Sequence, residues 1–165
     1  MGLNGVPASV LPDRTPGMFQ QVRLNRSMVS EYQRPGTPIL FFDGVCHLCN
    51  GFVDFVLSVE EDEEVRFAPI QGETASKLLD DLPDDPEGWS IVLLDDAGVH
   101  QASDAVLRLL MHMGGVWRLF GICFVIPRLL RDCVYRWIAR NRYTWFGQRN
   151  ACRVPDPDVE DRFLP

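Results

Sequence analysis

A continuous apolar run meets two closely spaced cysteines in ILFFDGVCHLCNGFVDFVLSV, residues 39–59, and no other stretch restricts the fold of this chain as strongly. Ile39, Leu40, Phe41 and Phe42 lack polar alternation, the pattern of a strand buried on both faces. Leu48, Phe52, Phe55, Val56 and Val59 then recur at the helical period, so a helix beginning near Cys46 has one apolar face. The acidic block at residues 60–64 opposes the negative end of the helix dipole, which predicts that the helix stops there. A strand that hands over to a helix at Cys-x-x-Cys admits three readings: a redox pair, half of a metal site, or two small apolar residues in a core.

The later elements come from the same kind of pattern. VRFAPIQ, residues 65–71, is strand-like, and Pro69 makes it an edge strand or ends it. Ala75, Leu78, Leu79 and Leu82 give a short helical face before the breakers PDDPEG. WSIVLLDD, residues 89–96, predicts a third strand, and DDAG turns it into a short fourth run at residues 99–102. Ser103 is the expected N-cap of a helix carrying Ala105, Val106, Leu109, Leu110 and Met113 on one face, stopped by Gly114 and Gly115. An apolar segment continues to Ile126, and Pro127 is the expected first residue of a helix reaching about Arg140. Strand, helix, strand, helix, strand, strand, helix is the order of a thioredoxin-like domain, with the first strand leading into the Cys-x-x-Cys, although alternating strands and helices by themselves fit many α/β folds.

The chain has 165 residues with 46% hydrophobic composition, enough for one domain with a substantial core and no need of disulfide staples. Five scattered cysteines do not form the framework of a small secreted scaffold, and a reducing compartment is expected. Residues 1–34 contain no signal-peptide h-region and read as a flexible tail, and Val6 stands where a myristoylation signal wants Ser or Thr. The most apolar later stretch, residues 116–127, is interrupted by Arg118 and is shorter than the roughly 20 residues of a membrane span. The expected compartment is the cytoplasm, with organelle import left open by Arg14, Arg23 and Arg26 in the tail.

Charge is unevenly spread. Residues 54–104 hold 15 acids against Arg66 and Lys77, whereas residues 117–153 hold eight arginines against Asp132. With a net charge of -7 and no reader motif among the arginines, nucleic acid is not an expected partner.

For the cysteine pair, a position at the first turn of a helix exposes Cys46 to unpaired N–H groups and the positive end of the helix dipole, which favour its thiolate. Cys49, three residues on, lies on the same side of the turn and is placed to resolve a mixed disulfide. His47 is either a solvent-facing spacer or a further positive charge beside Cys46. Asp43 can cap the helix, hold the turn, or accept a proton from Cys49, although its charge also raises the pKa of a nearby thiol. Gly44 supplies freedom for a tight turn. A structural zinc would need two further ligands, and His47, His100, His112, Cys123, Cys133 and Cys152 are all isolated. Cys123 and Cys133, in apolar helical surroundings, are expected in the core, and Cys152 is expected near the surface.

FFDGVCHLCN resembles the DCC family of thiol-disulfide oxidoreductases, whose Asp-x-x-Cys-x-x-Cys motif is matched by Asp43, Cys46 and Cys49. VRFAPIQ, SDAVLRLL and IPRLLRDCVYRWIARNRYTWFG are similar to later blocks of that family, so the resemblance covers roughly residues 37–152. It implies an α/β fold with a thioredoxin-like core and a C-terminal helical extension. It also implies dithiol–disulfide exchange with Cys46, Cys49 and Asp43 as site residues, without metal or organic cofactor. The partners implied are a disulfide-containing protein or small thiol substrate and an unidentified redox partner. Residues 35–152 are the expected domain, and residues 153–165 a C-terminal tail. Asp132, Tyr135, Arg140, Asn141, Arg142 and Tyr143 are candidates for a polar cluster near the site, or for a helix end that ties down carbonyls. No proline stands directly before the third strand, where thioredoxin faces its disulfide with one; Pro86 lies three residues upstream of Trp89. The rival expectation is a non-catalytic binding module that uses residues 116–126 or the Arg-rich end as its contact surface.

Overall fold

The computed structural model describes residues 22–32, 34–60, 64–83 and 85–165. Most of the expected N-terminal tail, residues 1–21, therefore lies outside the described residues. Among the described residues, six strands and five α-helices follow in the order β1 (Arg23–Leu24), α1 (Arg26–Tyr32), β2 (Ile39–Phe42), α2 (His47–Val59), β3 (Arg66–Pro69), α3 (Glu73–Leu78), β4 (Leu79–Asp80), β5 (Val92–Asp95), β6 (Gly98–Gln101), α4 (Ala102–His112) and α5 (Arg128–Phe146). The 3-10 segments Pro86–Gly88, Gly115–Val125 and Pro157–Arg162 connect or follow them.

Four strands form the central sheet in the order β3-β2-β5-β6. β2 runs parallel to β3 and antiparallel to β5, and β6 pairs antiparallel with β5. This is the thioredoxin-like arrangement, with β2 at the centre. The position explains its unalternated sequence, because all four of its residues are buried. Leu40 and Phe42 face a core built with Phe67, Leu93, Val53, Val56, Ala105 and Leu109, which joins the sheet to α2 and α4. Ile39 and Phe41 face the opposite core, with Ala68, Val92, Leu94, Ala75 and Leu78 against α3 and α1. The two-stranded pair β1–β4 closes this second side.

Several boundaries differ from the pattern-based expectations. α3 stops at Leu78, and Leu79 enters β4, so the expected helical face is cut by the pairing with β1. α4 begins one residue before Ser103, whose hydroxyl donates to Asp132 on α5 instead of capping. α5 extends to Phe146, ended by Gly147 at φ 79°. The stretch before it, Gly115–Val125, is 3-10 helix with no buried residue. It is tied down through Trp117, which meets Phe55 edge-on at a centroid distance of 4.9 Å. Cys123 is accordingly half-buried and Cys133 exposed, contrary to their expected core positions. Nearly all the large apolar side chains exposed among the described residues lie between Val116 and Phe146. None of the described helices is long and apolar enough to cross a membrane.

The chain end, set apart as a tail because it lies beyond the resemblance, runs beside β3. Leu164 donates its N–H to the Phe67 carbonyl at 2.8 Å, and Phe163 packs its ring on Phe67 with centroids 5.3 Å apart. Arg162 forms a buried ion pair with Glu60 and bonds the Val65 carbonyl. Glu60 Oε1 also accepts the N–H groups of Glu64 and Val65, each at 2.9 Å. The acid that terminates α2 is therefore buried and paired, a more demanding role than the dipole argument assigned it.

Candidate active site

The parallel strands β2 and β3 both end at the loop that carries the cysteines. Phe42 closes β2, and Asp43, Gly44 and Val45 form the turn into α2. Cys46 is the N-cap of α2, with φ -77° and ψ 124°, and its Sγ accepts the N–H of Cys49 at 3.5 Å. A sulfur thus occupies the place where a Ser or Asp oxygen usually satisfies a free N–H of the first turn. Asn50 fixes the backbone from below: its Nδ2 donates to the carbonyls of Gly44 at 2.9 Å and Cys46 at 2.8 Å.

The cysteines are both buried but electrically unlike. The Cys46 thiol is lowered from its ordinary 9.0 to about 6, chiefly by a hydrogen bond from the Cys49 thiol. Burial opposes this shift, whereas the Cys49 backbone N–H and the positive Arg142 assist it. Cys49 is driven upward, first by donating that hydrogen bond and then by burial. One sulfur is prepared to carry the negative charge and the other to keep its proton.

Asp43 is 2% exposed and uses both carboxylate oxygens. Oδ1 accepts the N–H of Val45 at 3.1 Å and Nε2 of Gln71 at 2.7 Å. Oδ2 accepts an Arg142 N–H at 3.1 Å and the hydroxyl of Tyr143. Gln71 returns from the end of β3 to accept the Gly44 N–H at 3.1 Å. Arg142, 3% exposed, also donates to the carbonyls of Trp89 at 2.9 Å and Pro86 at 2.7 Å. Burial, together with the hydrogen bond to Asp43, pushes the Tyr143 hydroxyl up to about 12, so it remains a donor across the physiological range. Tyr135, from the same helix, accepts the Ile91 N–H at 2.9 Å in front of β5. Ile91 and its neighbour Ser90 occupy the approach to β5 where thioredoxin has its proline, and the described residues contain no cis peptide bond.

Of the other candidates in the polar cluster, Asp132 pairs with Arg128, Asn141 donates back to the Trp137 carbonyl, and Arg140 is exposed. His47 is exposed as well. Sequence reasoning did not single out Gln71 or Asn50. Their only sequence signals are a polar residue closing the VRFAPIQ block and one following the second cysteine. Among the described residues no three His, Cys, Asp or Glu side chains are grouped to hold a metal ion.

Two features control access. Residues 147–153 cross the cysteine loop: Gln148 forms a β-bridge with Cys46, and Arg149 donates to the Val45 carbonyl at 2.7 Å. Farther along, Arg153 donates to the Gly44 carbonyl at 3.2 Å. Under this strap Cys46 has no exposed surface. Cys152 Sγ would lie 2.2 Å from a Cβ at Gly44. Gly44 has no positive φ, so the close approach of the strap, rather than turn freedom, calls for glycine here. On the other side, Cys49 forms part of the wall of a cavity of about 200 Å³ between α2, α4 and α5.

A thioredoxin-like sheet with a cysteine N-cap and a second thiol three residues on defines a dithiol protein. A family model described as DCC1-like thiol-disulfide oxidoreductase matches residues 40–148, and the chain belongs to that family. The chain is 43% identical to the uncharacterized protein YuxK of Bacillus subtilis (strain 168) over 129 residues, which span 77% of this chain and 93% of that protein. It is 34% identical to the chloroplastic DCC family protein At1g52590 of Arabidopsis thaliana over 129 residues, 76% of this chain and 74% of that protein. No solved structure matches the chain.

Proposed function

We propose that the protein exchanges the dithiol and disulfide forms of Cys46 and Cys49 with a disulfide in a protein or small molecule. The observation that carries this reading is Cys46 at the helix cap, its sulfur held by the Cys49 N–H and its thiol lowered to about 6. In the reducing direction the Cys46 thiolate attacks one substrate sulfur and expels the other as a thiolate that takes a proton from water. Cys49 then attacks Cys46 Sγ while its proton passes through water to the departing sulfur, which forms the protein disulfide and releases the second thiol. Two electrons pass to the substrate, and an external dithiol restores the protein.

Asp43 serves this reaction as a positioning residue. Its four partners hold the loop and place the Arg142 cation where it offsets the repulsion between the carboxylate and the thiolate. Reaction at Cys46 requires the strap to move, because the sulfur is covered in the closed form. The cytoplasm and an organelle both suit a dithiol protein of this kind, and the chloroplastic relative supports the second.

The test is a redox titration with alkylation and peptide mass spectrometry. Reversible interconversion of Cys46 and Cys49, abolished by Cys46→Ser, is the expected result. Thiols that remain reduced at every buffer potential would overturn the reading. They would favour a non-catalytic binding role, for which the exposed apolar side chains of Gly115–Val125 and α5 are the supporting observation.

A further inference from the structure

The cavity beside Cys49 has a composition unlike the polar loop next to it. Leu48 and Phe52 of α2, Val106 of α4, Ile138 and Ala139 of α5, and Ile91 before β5 supply its walls. Its charged lining residues, Asp43 and Arg142, are ion-paired with one another, so the cavity presents no unbalanced charge to a ligand. Its volume of about 200 Å³ exceeds the roughly 150 Å³ of an engineered apolar cavity that binds benzene. It can therefore hold one aromatic ring or a branched aliphatic group, and its predominantly apolar wall disfavours a charged group, which would lose its water there.

We infer that this cavity is a specificity subsite, and that the protein selects disulfides carrying an uncharged aromatic or branched aliphatic group next to the reacting sulfur. The inference rests on the exchange reaction proposed above. The apolar group enters the cavity with its sulfur toward the cysteine pair, and the second substituent leaves as a thiol. Bond and electron changes are those of ordinary exchange: the substrate S–S bond breaks, the Cys46–Cys49 bond forms, and two electrons reach the substrate.

Three neutral or charged probes with one common half isolate the effect: 2-hydroxyethyl 2-phenylethyl disulfide, 2-hydroxyethyl methyl disulfide and 2-hydroxyethyl 2-carboxyethyl disulfide. Single-turnover rates of the reduced protein are divided by the rates of dithiothreitol with the same compounds, which removes intrinsic reactivity. The expected result is a preference of about 10- to 100-fold for the phenylethyl over the methyl compound, and none for the carboxyethyl compound. Ala139→Leu, which narrows the cavity, is expected to bring the preference within about threefold while leaving the Cys46 thiolate absorbance unchanged. Ile138→Ala, which widens it, is expected to keep the preference, and it is the variant to use should Ala139→Leu not fold. Equal normalised rates for the phenylethyl and methyl compounds overturn the inference.

Uptake of 2-phenylethanol by the Cys46→Ser, Cys49→Ser double variant, followed by ligand-observed NMR, separates the subsite from the redox reading. Absence of uptake overturns the subsite whatever the cysteines do. Uptake together with no exchange by the parent protein overturns the substrate assignment through the failure of the proposed function.

Discussion

Replacing Cys49 by alanine tests the electrical asymmetry of the two thiols most directly. With Cys46 lowered from 9.0 to about 6, about 90% of it is thiolate at pH 7, against about 1% at the ordinary value. The folded-state pKa lies below the unfolded one, so this ionisation stabilises the reduced fold fully above pH 9, and the contribution is lost as pH falls through about 6. Between those limits it grows by about 1.4 kcal/mol per pH unit, and at pH 7 it amounts to about 1.4 kcal/mol. Stabilising the reduced form by that amount makes the disulfide about 30 mV more oxidising. The largest cause of the lowered pKa is the Cys49 thiol donor, which Cys49→Ala removes while the helix terminus and Arg142 remain. The Cys46 pKa is then expected to rise by at least one pH unit, leaving about half or less of the thiol ionised at pH 7. Thiolate absorbance at 240 nm is the suitable assay, because it does not depend on reagent reaching a buried sulfur. A transition that stays at about pH 6 in Cys49→Ala would refute the assignment to the thiol donor and leave the helix terminus as the cause.

Asp43→Ala and Arg142→Met each leave one buried charge unpaired and should cost about 3–5 kcal/mol in denaturant unfolding, with the double variant costing less than the sum. Gly44→Ala places a methyl group against Cys152 Sγ, so it should lower Tm, and Cys152→Ala in the same chain should recover part of the loss. Arg153 anchors the strap through an ion pair with the exposed Asp54. Arg153→Ala should therefore raise the rate of Cys46 alkylation about 1.4- to 5-fold, the factor set by a pair worth about 0.2–1 kcal/mol, without moving the 240 nm titration.

Patterns local to one element were readable in the sequence. The unalternated apolar run of β2 signalled burial on both faces, and the helical period of Leu48, Phe52, Val56 and Val59 located α2. The resemblance singled out the two cysteines and Asp43, which the structure brings together at the turn into α2. What escaped was whatever depends on distant chain meeting in space. The period at residues 75–82 could not reveal that β1 would capture Leu79 into a strand. Neither could the acidic composition around Glu60 disclose Arg162 as its buried partner. Hydropathy misplaced Cys123 and Cys133, because apolar side chains lie inside only where another surface is available to cover them. Gly44 was read for its backbone freedom, but its constraint comes from a residue more than a hundred positions later.

The long C-terminal extension follows from the buried acid in the motif. A carboxylate at Asp43 disfavours the thiolate beside it, and once buried its oxygens need hydrogen-bond donors in place of water. The loop itself supplies only the Val45 N–H, and β3 contributes Gln71. α5 provides the remainder, Arg142 and Tyr143, at a site that packs on Trp89 and Pro86 through the same guanidinium. Arg142 then acts in two directions: it neutralises Asp43, and it contributes to holding the Cys46 thiol low. The helix that carries it also supplies Ile138 and Ala139 to the cavity wall, and the residues after it cover Cys46. Loop geometry, thiol ionisation, the apolar cavity and access to Cys46 are consequently coupled through one helix. A substitution that shifts α5 should alter all four together, whereas one confined to the strap should alter access alone.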